Sequence, residues 1–253
     1  MKKNIFAVII SITSLSAGAV FGVGPDSSGS GTQDYSFILD SGNSFSINRS
    51  TTSAKASGTF GGAAISNGYS PVSNTQIEAK WDYNGTTVGI STGSPYLIDL
   101  TYIDNVVIGS GAKVTSNETA IVASRNLGNG MKVFGGLRLN QFKASIYQPT
   151  LNYTYYLDTG TSTGFALGAA YEVPQIMLRA SIQYNSEIKH TSAKETETLG
   201  STVLPAFTPD DMVAPSSMII KLRSALSPRM LAFANWRSSQ YSKFKVTGEN
   251  GGS

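Results

Sequence analysis

The chain has 253 residues, no cysteine, one histidine and a charged fraction of only 14%. Its formal net charge of +3 is too small to indicate nucleic-acid binding. The lack of cysteine excludes disulfide bonds and thiolate metal sites. After the N-terminal residues, no apolar run reaches the ~18 residues of a membrane-spanning helix. These bounds leave one domain of moderate size.

The N-terminus has the three parts of a secretory signal peptide. Two lysines follow Met1, a short apolar core covers Ile5–Leu15, and the small residues that end at Ala19 offer a cleavage site. We therefore predict that residues 1–22 are a signal peptide and that the protein is exported. An N-terminal anchor helix or a buried strand remains the alternative, although the apolar core is short for a membrane span.

Segments of alternating hydrophobicity fill the rest of the chain, and helix signals are nearly absent. The nine predicted strands are Ser44–Arg49, Thr75–Tyr83, Thr86–Thr92, Thr119–Asn126, Met131–Tyr147, Ser162–Glu172, Gln175–His190, Ser217–Leu226 and Arg229–Val246. The longer polar stretches between them are Ser50–Asn74, Gly93–Glu118, Gln148–Thr161 and Thr191–Ser216. These long connections alternate with short turns, of which Asn84-Gly85 is a strong hairpin signal. That rhythm is typical of an outer-membrane barrel, so we predict an all-β chain that forms a transmembrane antiparallel β-barrel.

The two faces of the strands support a barrel. In the segment Pro174–His190, apolar residues such as Ile182 alternate with polar residues such as Arg179 and Gln183. Several predicted strands are longer than the ~5–6 residues of soluble domains, and a tilted membrane strand needs ~9–11. We expect the apolar face to contact lipid and the polar face, with Glu187, to line the lumen. A soluble sandwich or solenoid, with its apolar face turned inward, remains the alternative.

The number of predicted strands is odd, whereas bacterial barrels have an even number. An open membrane sheet exposes unpaired backbone to lipid at several kcal/mol per group. We therefore expect the C-terminal part of the protein to be missing from this chain. A miscount by one strand is the alternative.

A family resemblance appears in the C-terminal half. The segment LGAAYEVPQIMLRASIQYNSEIKHT (Leu167–Thr191) resembles the FadL/TodX family of outer-membrane long-chain fatty acid transporters, as does SPRMLAFANWRSSQYSKFKV (Ser227–Val246). The segment Gly24–Ile47 is similar to the N-terminus of an alphaproteobacterial branch of that family. The family's N-terminal Asn-Pro-Ala motif is not found.

The resemblance implies a barrel of fourteen strands with an N-terminal hatch, of which about nine strands are present here. It places the hatch or plug at residues 23–41 and a partial transmembrane barrel at residues 42–253. In the family, a hydrophobic ligand enters from outside and binds in an apolar pocket. It then leaves by hatch movement or through an opening in the wall, which the resemblance places near Gly89.

Six residues are candidates for ligand binding. Arg179 and Arg223, on adjacent strands near short turns, are expected to contact a fatty-acid head group, because an unpaired charge is costly away from water. Phe134 and Phe233 are expected to line an apolar passage, and Tyr35 and Phe37 of the expected hatch would close the pocket. The alternative for the arginines is pairing with Glu187 or with hatch carboxylates such as Asp34 and Asp40.

We therefore predict passive outer-membrane transport of hydrophobic molecules, with long-chain fatty acids as the expected substrate. No catalysis, cofactor or metal is expected, and the expected partners are the hydrophobic ligand and outer-membrane lipid, with the protein a monomer and no nucleic acid bound. One alternative is an outer-membrane enzyme, such as a lipase-like barrel that uses His190. An adhesive or structural surface barrel and a water-filled porin are further alternatives.

Overall fold

The computed structural model describes residues 33–53, 58–60, 63–65, 70–101, 109–190, 194–204, 212–227 and 229–240. The predicted signal peptide and the end of the last predicted strand lie outside these residues. Short 3₁₀ helices cover Ser36–Leu39, Pro149–Leu151 and Pro174–Ile176. None of the helices among the described residues is long and apolar enough to cross a membrane.

Strands make up most of the described chain. They are β1 (Ser44–Thr52), β2 (Gly58–Phe60), β3 (Ala63–Ile65), β4 (Val72–Tyr83), β5 (Thr86–Gly93), β6 (Leu97–Thr101), β7 (Gly111–Gly128), β8 (Met131–Gln148), β9 (Tyr153–Val173), β10 (Leu178–Asn185), β11 (Ile188–His190), β12 (Lys194–Leu199), β13 (Thr202–Val203), β14 (Met212–Ala214), β15 (Ser217–Ser227) and β16 (Met230–Ser239). Nine of them form one continuous path, β1-β4-β5-β7-β8-β9-β10-β15-β16, in which every neighbouring pair is antiparallel. This path confirms the prediction of an all-β chain with about nine wall strands.

The predicted orientation of the two faces is confirmed. The outward face carries large apolar side chains that are a third or more exposed, including Ile90, Ile121, Leu137, Leu167, Ile182, Ile220 and Trp236. The opposite face carries buried polar residues such as Arg138 and Gln183. A soluble sheet buries its apolar face, whereas this arrangement is the reverse and suits a wall that contacts lipid outside and encloses a polar interior.

Strands β8 and β9 extend beyond the part of the wall whose outward side chains are apolar, here called the apolar band. On the outward face of β8, Met131, Val133, Leu137 and Leu139 are apolar, and the series then becomes polar from Gln141 onward. The apolar part spans about nine residues, which matches the length of a tilted membrane strand. We call the end of the wall with the turns at residues 84–85 and 128–130 the lower end. The upper halves of β8 and β9 therefore extend above the band.

All four predicted loops contain strands: Ser50–Asn74 includes β2 and β3, and Thr191–Ser216 includes β12, β13 and β14. The stretch Gly93–Glu118 includes β6 and the first part of β7, while Gln148–Thr161 is mostly β9, preceded by a tight turn at residues 149–152. The outward residues of the upper parts of β7 and β9, such as Lys113 and Thr154, are mostly polar, so the composition of a membrane strand does not identify these parts. The predicted long connection between β8 and β9 is therefore wrong.

The predicted strand Gln175–His190 is divided. Residues Pro174–Ile176 form a 3₁₀ turn, and Met177 follows with a left-handed φ of 51°. Strand β10 ends at Asn185, and β11 pairs with β14 in a separate two-stranded sheet. Strand β12 then takes the place beside β9 that β10 has left.

Candidate functional site

The segment Gln33–Asp40, here called the inner segment, runs through the interior of the curved wall. Its residues Tyr35, Ile38 and Leu39 are at most 1% exposed. Six different strands hold it through side-chain hydrogen bonds or ion pairs, donated by Lys80 of β4, Ser124 of β7, Lys132 of β8, Arg179 of β10, Lys221 of β15 and Arg237 of β16. A flat sheet would not bring these strands to one short segment, so the wall curls around it.

A buried ion pair lies above the inner segment. Arg138 donates to Glu118 from Nε (3.2 Å) and from Nη2 (2.8 Å), and both side chains are at most 3% exposed. Arg138 Nη1 also donates to the Ser186 carbonyl at 2.8 Å. A buried charge is tolerated only when it is paired and hydrogen-bonded, and each member of this pair meets that condition.

The ion pair is tied directly to the inner segment. The Tyr35 hydroxyl donates to Glu118 Oε1 at 2.5 Å, and Gln33 Nε2 and Asn140 Nδ2 approach Oε2 at 3.4 and 3.1 Å. Burial, together with the nearby Glu118 carboxylate, raises the pKa of the Tyr35 phenol well above its usual value, so the phenol keeps the proton that it donates. Glu118 is therefore the shared acceptor between wall and inner segment.

Two amides of β10 fix the start of the inner segment. Gln183 Nε2 donates to the Gln33 carbonyl at 2.6 Å, and its Oε1 accepts from the Tyr35 backbone N–H at 2.9 Å. Asn185 Nδ2 donates to the same Gln33 carbonyl at 3.1 Å. We call Glu118, Arg138, Asn140, Gln183, Asn185 and Gln33 together the polar layer.

The polar layer separates two apolar clusters. The lower cluster, towards the short turns, consists of Tyr35, Ile38, Leu39, Ala120, Val122, Phe134, Ala166 and Ala170, with Phe37 packed against it. The upper cluster consists of Tyr96, Val114, Phe142, Ala144, Tyr153, Tyr155, Leu157, Ile188, Met212 and Ala214. Along β8 the order is Phe134, Arg138, Asn140, Phe142, so the polar residues Arg138 and Asn140 lie between the two clusters.

A bulge in β9 makes the upper cluster possible. The register with β8 shifts between Gln141 and Lys143, where Gln141 faces Thr161 and Lys143 faces Asp158. The extra residue lies at Thr159–Gly160, and Gly160 has a φ of 65°. A one-residue shift moves side chains to the other face of a strand. Even-numbered residues such as Ala166 therefore point inward below the bulge, and Tyr153, Tyr155 and Leu157 point inward above it.

The two candidate arginines meet at the lower end of the lumen. Arg179 and Arg223 are direct cross-strand partners on β10 and β15. Arg179 Nη1 lies 2.6 Å from Asp40 Oδ1, and its Nε lies 2.5 Å from Glu172 Oε1. Arg223 is less engaged, with Nη1 at 3.8 Å from the same Asp40 oxygen and a side chain that is 41% exposed.

The four aromatic candidates occupy different surroundings. Phe134 is 5% exposed and packs with Tyr35 in the lower cluster, and a Cβ at Gly168 would lie 2.2 Å from Phe134 Cζ. Phe37 is only partly buried, at the margin of that cluster. Phe233 pairs with Arg223 in register and so shares its inward face, but it is 72% exposed. The structure thus brings Tyr35, Phe37 and Phe134 together and leaves Phe233 apart.

Gly89 lies in a continuous part of the wall. It pairs with Lys80 on one side and with Val122 on the other, with no shift of register in either ladder. A Cβ at this position would lie 2.9 Å from Phe37 Cε2 and from Ile38 Cδ1. This glycine therefore leaves room for the inner segment.

His190 lies in the upper part of the lumen, where it is 2% exposed and its ring meets Phe142 edge to face at 5.2 Å. Among the described residues, neither ring nitrogen makes a hydrogen bond of ordinary geometry. The residues that the structure describes contain no cluster of three or more side chains that could bind a metal ion.

Sequence reasoning missed Glu118, which it placed at the end of a long polar connection. The signal was present, because Val114, Ser116, Glu118, Ala120 and Val122 are alternate residues and all share one buried face of β7. A charged residue in such a series is expected to have a buried partner. Its partner Arg138 lies on the polar face of the predicted strand Met131–Tyr147, but the alternation of residues does not show which residue it pairs with.

Comparisons with known proteins give no sequence match but several matches of fold. No family model and no curated protein matches the sequence. The TodX ΔS2S3 mutant monoaromatic hydrocarbon channel aligns with a TM-score of 0.54 and 12% identity over 80% of this chain and 62% of its own. A Pseudomonas aeruginosa FadL homologue aligns with a TM-score of 0.53 and 11% identity over 79% and 59%, respectively. The Ralstonia pickettii toluene transporter TbuX aligns with a TM-score of 0.54 and 13% identity over 87% and 72%.

The chain therefore spans about three fifths of the length of two of these proteins. Identities this low bear on the fold alone. The matches agree with the antiparallel nine-stranded wall. The chain has the transmembrane β-barrel fold of FadL- and TodX-type channels, as its resemblance to that family predicted.

Proposed function

We propose that this protein carries hydrophobic molecules passively across the outer membrane, with long-chain fatty acids as the substrate. The observation that supports this most is the layered lumen, in which two apolar clusters are separated by the polar layer and the inner segment. A hydrophobic ligand finds apolar side chains on both sides of the polar layer, whose side chains are hydrogen-bonded to one another and to the inner segment. Such a lumen suits a ligand-specific channel better than a water-filled porin.

The proposed parts follow the predicted domains. Residues 1–22 act as the signal peptide, residues 23–41 form the hatch, of which the inner segment is a part, and residues 42–253 contribute to the barrel. The protein lies in the outer membrane as a monomer surrounded by lipid. Movement of the hatch must break the contacts of Tyr35 and Gln33 with Glu118, because these hold the segment across the lumen.

In this proposal the candidate residues have distinct roles. Arg179 and Arg223 receive the ligand's head group at the lower end of the lumen, where their charges meet in register. Phe134 and Phe233 offer apolar surface along the passage. Tyr35 and Phe37 close the lower cluster and move with the hatch.

The function is tested by uptake in cells. The full chain is expressed in a Gram-negative strain that lacks its own fatty-acid transporter, and the initial rate of labelled oleate uptake is measured beside that of a small labelled sugar. We expect oleate uptake to rise and sugar uptake to stay at the background rate. An equal rise for both solutes would indicate a porin, and unchanged oleate uptake by correctly inserted protein would overturn the fatty-acid proposal.

The enzyme alternative is tested on the same preparation. Hydrolysis of a p-nitrophenyl ester is measured with the purified chain and with a His190→Gln variant. Hydrolysis that disappears with this substitution would favour a lipase-like barrel and contradict the transport proposal.

A further inference from the structure

The inner segment resembles an amphiphile in its order of groups. Phe37, Ile38 and Leu39 are consecutive apolar residues, and Asp40 follows them with a carboxylate. Ile38 and Leu39 are buried in the lower cluster, whereas the Asp40 side chain is 52% exposed at the end of that cluster. An apolar part that ends in one carboxylate is also the chemical plan of a fatty acid.

The carboxylate of Asp40 lies at a site built for an anion. Arg179 and Arg223 are directly opposite each other on neighbouring strands, and like charges in that position repel. Asp40 Oδ1 lies within 4 Å of both guanidinium groups, and Glu172 neutralises Arg179 from the other side. Arg223 has a contact of only 3.8 Å to this carboxylate, so the pair retains the capacity to hold an anion more closely.

The apolar part of the segment fills space that the wall leaves open. Gly89 admits Phe37 and Ile38, since a Cβ there would lie 2.9 Å from each side chain. On the other side of the lumen, the inward positions of β9 leading up from Glu172 are the small residues Ala170, Gly168 and Ala166. The inner segment and Phe134 together fill the space that these small wall residues leave.

We propose that the stretch Phe37–Asp40 is a built-in substitute for a carboxylate-bearing amphiphile. A ligand's carboxylate displaces Asp40 from Arg179 and Arg223, and its chain takes the space of Ile38 and Leu39. Displacement releases the inner segment and opens the lower lumen. This inference rests on the proposed transport function and adds to it the contact by which the substrate opens the channel, namely that of Asp40 with the arginine pair.

The experiment measures release of the inner segment in the full chain purified in detergent. Because the chain has no cysteine, a Ser41→Cys substitution gives a single exposed position next to Asp40 for a spin label. The probes are decanoate, decanol and acetate, which separate the carboxylate from the tail. We expect decanoate to raise the mobility of the label at a lower concentration than decanol, and acetate to have little effect.

Two carboxylate variants separate the proposed exchange from general loosening. Asp40→Asn removes the competing negative charge from the arginine pair. We expect this variant to lower the half-maximal decanoate concentration about tenfold or more, because a competing charge-assisted contact is lost. The half-maximal decanol concentration is expected to change much less. Asp34→Asn is the matched control, because Asp34 holds the same segment to Lys221 and leaves Asp40 on the arginines. This control is expected to shift decanoate and decanol alike.

A third variant removes one receiving charge. Arg223→Gln is expected to weaken decanoate binding and leave the decanol response unchanged. If decanoate and decanol act equally in the parent protein, or if Asp40→Asn shifts both by the same factor, the substitution idea is wrong while transport of hydrophobic molecules still stands. If neither amphiphile binds to the parent protein or to Asp40→Asn, the proposed function fails as well.

Discussion

Removing the buried cation of the polar layer provides the sharpest test of how the wall is stabilised. In Arg138→Met, Glu118 loses two charge-assisted contacts, at 3.2 and 2.8 Å, and stays in a fully buried place. An ion pair broken on one side costs about 3–5 kcal/mol because the remaining charge is uncompensated. We expect the free energy of unfolding to fall by that amount.

The rescue variant isolates the cause. In Glu118→Gln/Arg138→Met the side chain at position 118 is a neutral amide. Its oxygen still accepts a hydrogen bond from the Tyr35 hydroxyl, so no unpaired charge is left. We expect the double variant to be more stable than Arg138→Met by about 1 kcal/mol or more, which is a coupling that only neighbouring residues show.

The assay is reversible urea unfolding of the full chain from lipid vesicles, followed by tryptophan fluorescence. Lys113→Met is the control, because Lys113 lies on the same strand as Glu118 and its ion pair with Asp99 is exposed, with side chains 58% and 31% accessible. Such a pair contributes about 0–1 kcal/mol. A loss in Arg138→Met no larger than that of the control, or no rescue by Glu118→Gln, would refute the reasoning.

Three further changes test the wall and the space inside it. Leu137→Arg, on the outward apolar band, is expected to cost about 2–4 kcal/mol in the same unfolding assay, whereas Ser145→Arg above the band costs about 0–1 kcal/mol; equal costs would contradict the placement of the band. Deletion of Gly160 removes the bulge and turns the upper part of β9 over, so we expect loss of the SDS-resistant folded form on unheated gels, and a normal band would be evidence against the parity switch. Gly89→Val is expected to push the inner segment away from β5 and to increase the rate at which a thiol reagent modifies Ser41→Cys. An unchanged rate would contradict the close approach of Ile38 to Gly89.

Most wall strands could be predicted from the sequence, because contact with lipid on one face and with the lumen on the other makes apolar and polar residues alternate with a period of two. Ile182 and Gln183 are neighbours that need opposite surroundings, and the structure gives them those surroundings. Short turns were equally readable, since Asn84 and Gly85 both adopt positive φ as predicted. The pairing of Arg179 with Arg223 was not predictable in this way, because β11 to β14 lie between β10 and β15 in the chain and no short turn fixes the register of these two strands.

The upper halves of β7 and β9 were not readable in that way. Above the apolar band, water lies outside the wall, so an outward polar residue such as Lys113 of β7 is compatible with a strand as well as with a loop. The bulge at Thr159–Gly160 added a second difficulty, because one extra residue exchanges the two faces of β9, and no pattern in the flanking polar residues sets its position.

The class of the fold and the outward face of the strands within the apolar band follow from the amino-acid pattern, because each depends on which solvent a single strand contacts. Which side chains contact each other inside the wall depends on the tertiary structure. The contact of Glu118 with Arg138 and Tyr35, and that of Asp40 with the arginine pair, join residues far apart in the chain. They form only when the curved wall wraps around the inner segment, which removes Glu118 and Arg138 from water.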